Sequence, residues 1–171
     1  MNKKKQTLKE IFTEAVQNYK KKDFKKAEFL CYKILSINAF DMNSISLLAT
    51  ISAVTGDFKK AKELMLKAVE IQPKNTSALN NLGTAYKELG ELKQAMNIYK
   101  KVLKIDPNHT NANYNLALAF YNLRELKTAK NYLQKTVKIQ KNYALAFINL
   151  ANINVDLREF NEAMSNYQKA I

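Results

Sequence analysis

Residues 76–109 read TSALNNLGTAYKELGELKQAMNIYKKVLKIDPNH. Leu79, Leu82, Gly83 and Tyr86 fall on one helical stripe, and Ala95, Tyr99 and Val102 on the stripe of a second helix. Glu88-Leu89-Gly90-Glu91 links the two, and Pro107 closes the unit. A step of 34 residues in either direction brings the same skeleton back. One small-residue column reads Ala15, Ala49, Gly83, Ala117, Ala151, and a second reads Ala27, Ala61, Ala95, Ala129, Ala163. Large apolar residues recur at Phe24, Phe58, Leu92, Leu126 and Phe160, and isoleucine at Ile37, Ile71, Ile105 and Ile139. Acids recur at Asp23, Asp57, Glu91, Glu125 and Glu159.

Each column has a physical reason. Small residues on both helices let two backbones approach closely where they cross, and large apolar residues fill the grooves beside them. An acid at the start of the second helix suits the exposed amide groups there. Gly56 and Gly90 end a first helix where a left-handed residue is cheap only for glycine. Lys22, Arg124 and Arg158 hold the same place in the other units, so those turns use another geometry or carry strain. Pro73 and Pro107 stop the second helix in two units.

These residues resemble the tetratricopeptide repeat signature of a Leu-Gly-x-x-Tyr stretch, an alanine, an aromatic residue and a closing proline: here Leu82, Gly83, Tyr86, Ala95, Tyr99 and Pro107. The family's first-helix tryptophan is replaced by Ile11, Ile45, Leu79, Asn113 and Phe147, and the closing proline by Ala39 and Lys141 in two units. The resemblance spans residues 8–171 and implies an all-α fold, a right-handed α-solenoid of antiparallel helix pairs. The repeats are 8–41, 42–75, 76–109, 110–143 and an incomplete 144–171, after a basic lead over residues 1–7. The expected helices are 8–21, 23–37, 42–55, 57–71, 77–89, 91–105, 110–123, 125–139, 143–156 and 159–171. Glu14 stands where later repeats have leucine, which marks a terminal unit. The sequence stops at Ile171 inside a helical pattern without a polar capping helix, so a longer parent with a further domain is expected, as is self-association through the uncapped last repeat.

The net charge of +13 invites a nucleic-acid reading. Its distribution argues against one. Most lysines lie in second helices, Lys59, Lys67, Lys93, Lys101, Lys104, Lys127 and Lys138 among them, which the family architecture places on the outer side. Only Arg124 and Arg158 are arginine, and no aromatic residue alternates with a basic run as a stacking platform. No apolar run is long enough to span a bilayer, and a single cysteine allows no internal disulfide, so a cytoplasmic location is expected.

Function is expected on the first helices, which the resemblance places along a concave groove. Asn81, Asn115 and Asn149 recur at one position, each directly before a leucine. An asparagine amide donates and accepts, so it can hold an extended peptide by its backbone. The arrangement is similar to the asparagine ladder of O-linked N-acetylglucosamine transferases, though Thr13 and Leu47 interrupt it in the first two repeats. Further groove candidates are Asn80, Thr84 and Lys87 in the third repeat, Asn111, Tyr114 and Tyr121 in the fourth, and Asn152 in the fifth, with Asn43, Thr50 and Ser77 beside them. Tyr114 and Tyr121 offer apolar anchors with a polar tip.

No catalytic set can be assembled. His109 lies alone in a turn, Cys31 sits on an apolar stripe as a buried structural thiol, and three glycines form no phosphate loop. No metal and no cofactor are expected, and the chain is read as a non-enzyme. The preferred reading is a protein–protein interaction scaffold that binds an extended peptide segment. The alternatives are the substrate-recognition arm of a larger transferase whose catalytic domain lies beyond residue 171, and an RNA-binding helical repeat.

Overall fold

The computed structural model describes residues 7–171; the basic lead, apart from Thr7, lies outside the described residues. Ten helices and no strands are described. They divide into two compact units, residues 1–90 and 91–171. The first contains α1 (Leu8–Lys20), α2 (Phe24–Leu35), α3 (Met42–Val54), α4 (Phe58–Ile71) and α5 (Thr76–Glu88). The second contains α6 (Leu92–Ile105), α7 (Thr110–Asn122), α8 (Leu126–Ile139), α9 (Ala144–Asp156) and α10 (Phe160–Lys169). First helices begin at 8, 42, 76, 110 and 144 and second helices at 24, 58, 92, 126 and 160, an unbroken step of 34. The fold is an all-α solenoid of helix pairs.

Within each unit, consecutive helices pack on one another. The small-residue columns are buried: Ala15 with Ala27 and Ala49 with Ala61 in the first unit, Ala117 with Ala129 and Ala151 with Ala163 in the second. Ile34, Leu48, Met65 and Leu79 fill the first core, and Tyr99, Leu116, Leu133 and Ile153 the second. The tryptophan-position residues Ile11, Ile45, Leu79, Asn113 and Phe147 are all buried too. The isoleucine column is not core: Ile37 is 67% exposed and Ile105 41%. In the first repeat the helix ends two residues earlier than its pattern, at Leu35. Ser36 Oγ there donates to the Lys33 carbonyl oxygen at 2.8 Å.

Helix starts are capped locally. Thr7 closes the lead as the N-cap of α1, in a reciprocal pair: its hydroxyl accepts from the Glu10 amide, and the Glu10 carboxylate accepts from the Thr7 amide. Asp23 and Asp57 accept from the Lys26 and Lys60 amides, each at 3.1 Å. At Glu125 and Glu159 the longer side chain makes no cap bond, and Glu159 pairs with Lys130 instead.

The turns between paired helices share one backbone geometry. Gly56 has φ +83° and Gly90 +77°, and Lys22, Arg124 and Arg158 lie at +62°, +61° and +63°. Of the two outcomes open at those three positions, strain is the one realised. The double bond of a Schellman turn fixes it: Asp23 N donates to Asn18 O and Lys22 N to Tyr19 O, both at 2.9 Å, and Asp57 N donates to Ser52 O with Gly56 N to Ala53 O. A side chain in this region costs about 1–2 kcal/mol, and glycine's greater freedom in the unfolded chain offsets about 0.5–1 of it.

Opposite substitutions should therefore move stability in opposite directions. Lys22 is exposed, and Lys22→Gly should stabilise by up to about 1 kcal/mol. A Cβ at Gly56 would meet no atom within 4 Å, so Gly56→Ala should cost about 1 kcal/mol through backbone strain alone. Thermal unfolding followed by far-ultraviolet circular dichroism checks both. Shifts of the same sign would contradict a shared turn geometry.

Candidate functional site

The asparagine column occupies three different environments. Asn81, on α5, is exposed, and Asn115, on α7, is half-buried; neither side-chain amide has a hydrogen-bond partner among the described residues. Asn149, on α9, is engaged. Its Nδ2 donates to Tyr114 Oη at 2.8 Å and to the Leu145 carbonyl oxygen at 2.9 Å, leaving Oδ1 as acceptor. The three positions share a register but not a state.

In the first unit a cleft of about 270 Å³ opens between α3, α4 and α5. Ala49, Ala53, Val54, Phe58 and Met65 make it apolar, and Thr50, Asn81 and Thr84 supply polar edges. The Thr50 and Thr84 hydroxyls each donate to a carbonyl oxygen one helical turn back, Ser46 O at 2.8 Å and Asn80 O at 3.1 Å. Asn43 and Ser77 are exposed. Lys87 is half-buried, and its ammonium pairs with Glu88 at 2.9 Å. Asn80 is only 7% exposed, and its buried Oδ1 has no partner.

In the second unit the α7 and α9 side chains form a polar chain. The Tyr114 ring lies tilted against that of Tyr143, 5.0 Å between centroids and 32° between planes, while its hydroxyl accepts from Asn149. Tyr121 Oη donates to Asp156 Oδ2 at 3.0 Å, and Arg124 reaches the same oxygen at 3.2 Å. Asn152 Oδ1 accepts from Tyr167 Oη at 2.6 Å, and Asn111 is exposed. Asp156, Tyr143 and Tyr167 were not among the expected groove residues. The 35-residue spacings 114 to 149 and 121 to 156, one more than the repeat, are the signal that could have found their partners.

Three phenols titrate above their ordinary range. Tyr121 is raised by its hydrogen bond to Asp156, then by burial. Tyr114 is raised by burial, then by Tyr143, and Tyr143 by burial. Cys31 is fully buried, and burial, then Asp41 and Glu28, push its thiol up to about 11. It therefore carries almost no thiolate at neutral pH. His109 serves as the N-cap of α7, Nδ1 accepting from the Ala112 amide at 3.2 Å. Among the described residues no group of three or more His, Cys, Asp or Glu could hold a metal ion, and no helix is long and apolar enough to cross a membrane.

Family models match several stretches. One described as TPR repeat matches residues 83–123, and one described as Tetratricopeptide repeat matches 110–143 and again 144–171. A third, described as Anaphase-promoting complex, cyclosome, subunit 3, matches residues 20–102. No curated protein matches the sequence. Among solved structures, the chain is similar to PilF of Pseudomonas aeruginosa: TM-score 0.87, 19% identity, 95% of this chain and 74% of that one. It is similar to MamA of Desulfovibrio magneticus RS-1, with TM-score 0.83, 18% identity, and 95% and 92% covered. It is also similar to YrrB, a TPR protein with an unusual peptide-binding site: TM-score 0.73, 19% identity, 96% and 85% covered. At these identities the likeness is one of fold.

The raised phenols set a pH dependence. Their neutral forms are favoured by the fold, so their contribution is complete below the ordinary tyrosine pKa of about 10 and is lost as pH rises through the raised values. Spectrophotometric titration should show tyrosines ionising late, with thermal stability falling in the same alkaline range. Asp156→Asn should bring Tyr121 back toward its ordinary range while Tyr114 and Tyr143 stay raised.

Proposed function

The chain belongs to the tetratricopeptide repeat family, and from that premise we propose that it is a protein–protein interaction scaffold that holds an extended segment of a partner against its first helices. The observation that carries this reading is Asn81. Its amide is without a partner, and it stands at the edge of an apolar cleft of about 270 Å³. A free amide beside an apolar hole is what an extended peptide needs: backbone C=O and N–H meet the amide, and a neighbouring side chain enters the hole. The cleft falls just below the range of ligand pockets, about 300–1,000 Å³, and suits one apolar side chain.

Asn115 offers a second free amide on α7. Asn149 contributes differently: with its amide protons held by Tyr114 and the Leu145 carbonyl, it fixes the tyrosine rather than reading a peptide. The ladder thus works with two rungs, and Tyr114 and Tyr121 are held in place as anchors by Asn149 and Asp156. Binding of this kind calls for no bond-making chemistry.

Peptides selected from a random library on the immobilised chain, then measured by titration calorimetry, test the reading. Asn81→Ala and Asn115→Ala should each weaken binding about threefold to tenfold, the worth of one hydrogen bond. Ala53→Phe, which fills the cleft, should weaken it further. Asn149→Ala should have the smallest effect on affinity. Unchanged affinity in a folded double variant of Asn81 and Asn115 would sink the proposal.

A further inference from the structure

The rim of the cleft between α3, α4 and α5 departs from the repeat. Val54 lines it and is 58% exposed. The same position in the other repeats holds Lys20, Glu88, Asn122 and Asp156, all polar and all exposed. A solvent-facing place has thus become apolar where this cleft opens. Next to it, Ala53 is the smallest residue of its column, which elsewhere holds Tyr19, Lys87, Tyr121 and Val155. Ala49 and Ala85 make a buried floor of methyl groups, and Phe58, half-buried, lines the same space.

The cleft is also uncharged. No ionisable side chain lines it, in a chain of net charge +13. Among the charged residues beside the lining positions, Asp57 caps α4 at the Lys60 amide, and Lys62 Nζ lies 5.3 Å from the Tyr86 ring centroid. Lys87 pairs with Glu88 at 2.9 Å, and Lys59 stands in solvent. A carboxylate or an ammonium brought into the cleft would shed its water and meet no opposite charge among the lining residues.

On the reading of this cleft as a peptide site, we propose that it selects an aromatic side chain from an uncharged stretch of the partner. The ring lies on the alanine floor, meets the Phe58 ring and covers Val54, while the backbone beside it meets the Asn81 amide. Leucine would fill part of the same space, but it lacks the preference of ring for ring, which is worth about threefold to tenfold in affinity. The surplus of lysine plays no part in this recognition, so binding is indifferent to salt.

The test uses the full chain and four pools of acetylated, amidated peptides. Each pool fixes Phe, Leu, Glu or Lys at the centre of random uncharged positions. The Phe pool should shift the Asn81 side-chain amide and Ala53 methyl signals in correlation spectra, and bind about threefold to tenfold more tightly than the Leu pool. The Glu and Lys pools should leave both signals unmoved, and raising salt about tenfold should not change the affinity of the Phe pool. Phe58→Leu, the residue that Leu92 and Leu126 supply in later repeats, should bring the Phe and Leu pools to equal affinity. Val54→Glu, which matches Glu88, should weaken the Phe pool. A Leu pool that binds the native chain as tightly as the Phe pool, shifts from the Glu or Lys pool, affinity that falls with salt, or unchanged preference in Phe58→Leu would overturn this inference and leave the peptide reading standing. No shift at Asn81 with any pool would remove both.

Discussion

The contact on which the structure depends is the close crossing of two helices at a pair of small residues. Ala15 and Ala27 form such a pair by register, as do Ala49 and Ala61, Ala117 and Ala129, and Ala151 and Ala163, and every one of these residues is buried in a packed pair of helices. A larger side chain at either place would hold the backbones apart and force its neighbours off their rotamers, typically at about 1–3 kcal/mol. The pair recurs every 34 residues, in step with the helix starts.

The turn between the helices is the second constraint. It is strict enough that lysine and arginine adopt the left-handed backbone glycine would take. The two bonds back to the last turn of the first helix leave the chain no other route. Local strain is accepted to keep the register, and the apolar contacts of each repeat outweigh it.

This explains what the sequence could and could not disclose. Helix order, repeat length and buried columns were legible, because they rest on side-chain class at fixed spacing. The shared turn geometry was only half legible: glycine announces a left-handed residue, and Lys22, Arg124 and Arg158 do not. The ends of α2 and the exposure of Ile37 were not legible, since an apolar class at the right spacing does not say that a neighbour covers it. The equivalence of Asn81, Asn115 and Asn149 was read from register alone. Their difference arises because Tyr114, one repeat behind Asn149, can reach it, whereas no described group reaches the other two.

Polar residues in the first-helix cores carry the last step. Asn113 occupies the tryptophan position, fully buried. Its Nδ2 donates to Pro107 O at 3.1 Å and His109 O at 3.0 Å, so it binds the turn that precedes its own helix. That asparagine is explained by the bonds it makes, with only Oδ1 left over. Asn154 is buried as deeply and makes none with its side chain. Asn113 stands alone in an otherwise apolar column, whereas the column of Asn154 is mixed, with Asn18, Ser52, Tyr86 and Phe120 in the other repeats. An unmet amide costs on the order of 1–3 kcal/mol per polar atom, and nothing within the described chain recovers that at Asn154. Asn113 ties its helix to the preceding turn, whereas Asn154 is buried with no side-chain partner.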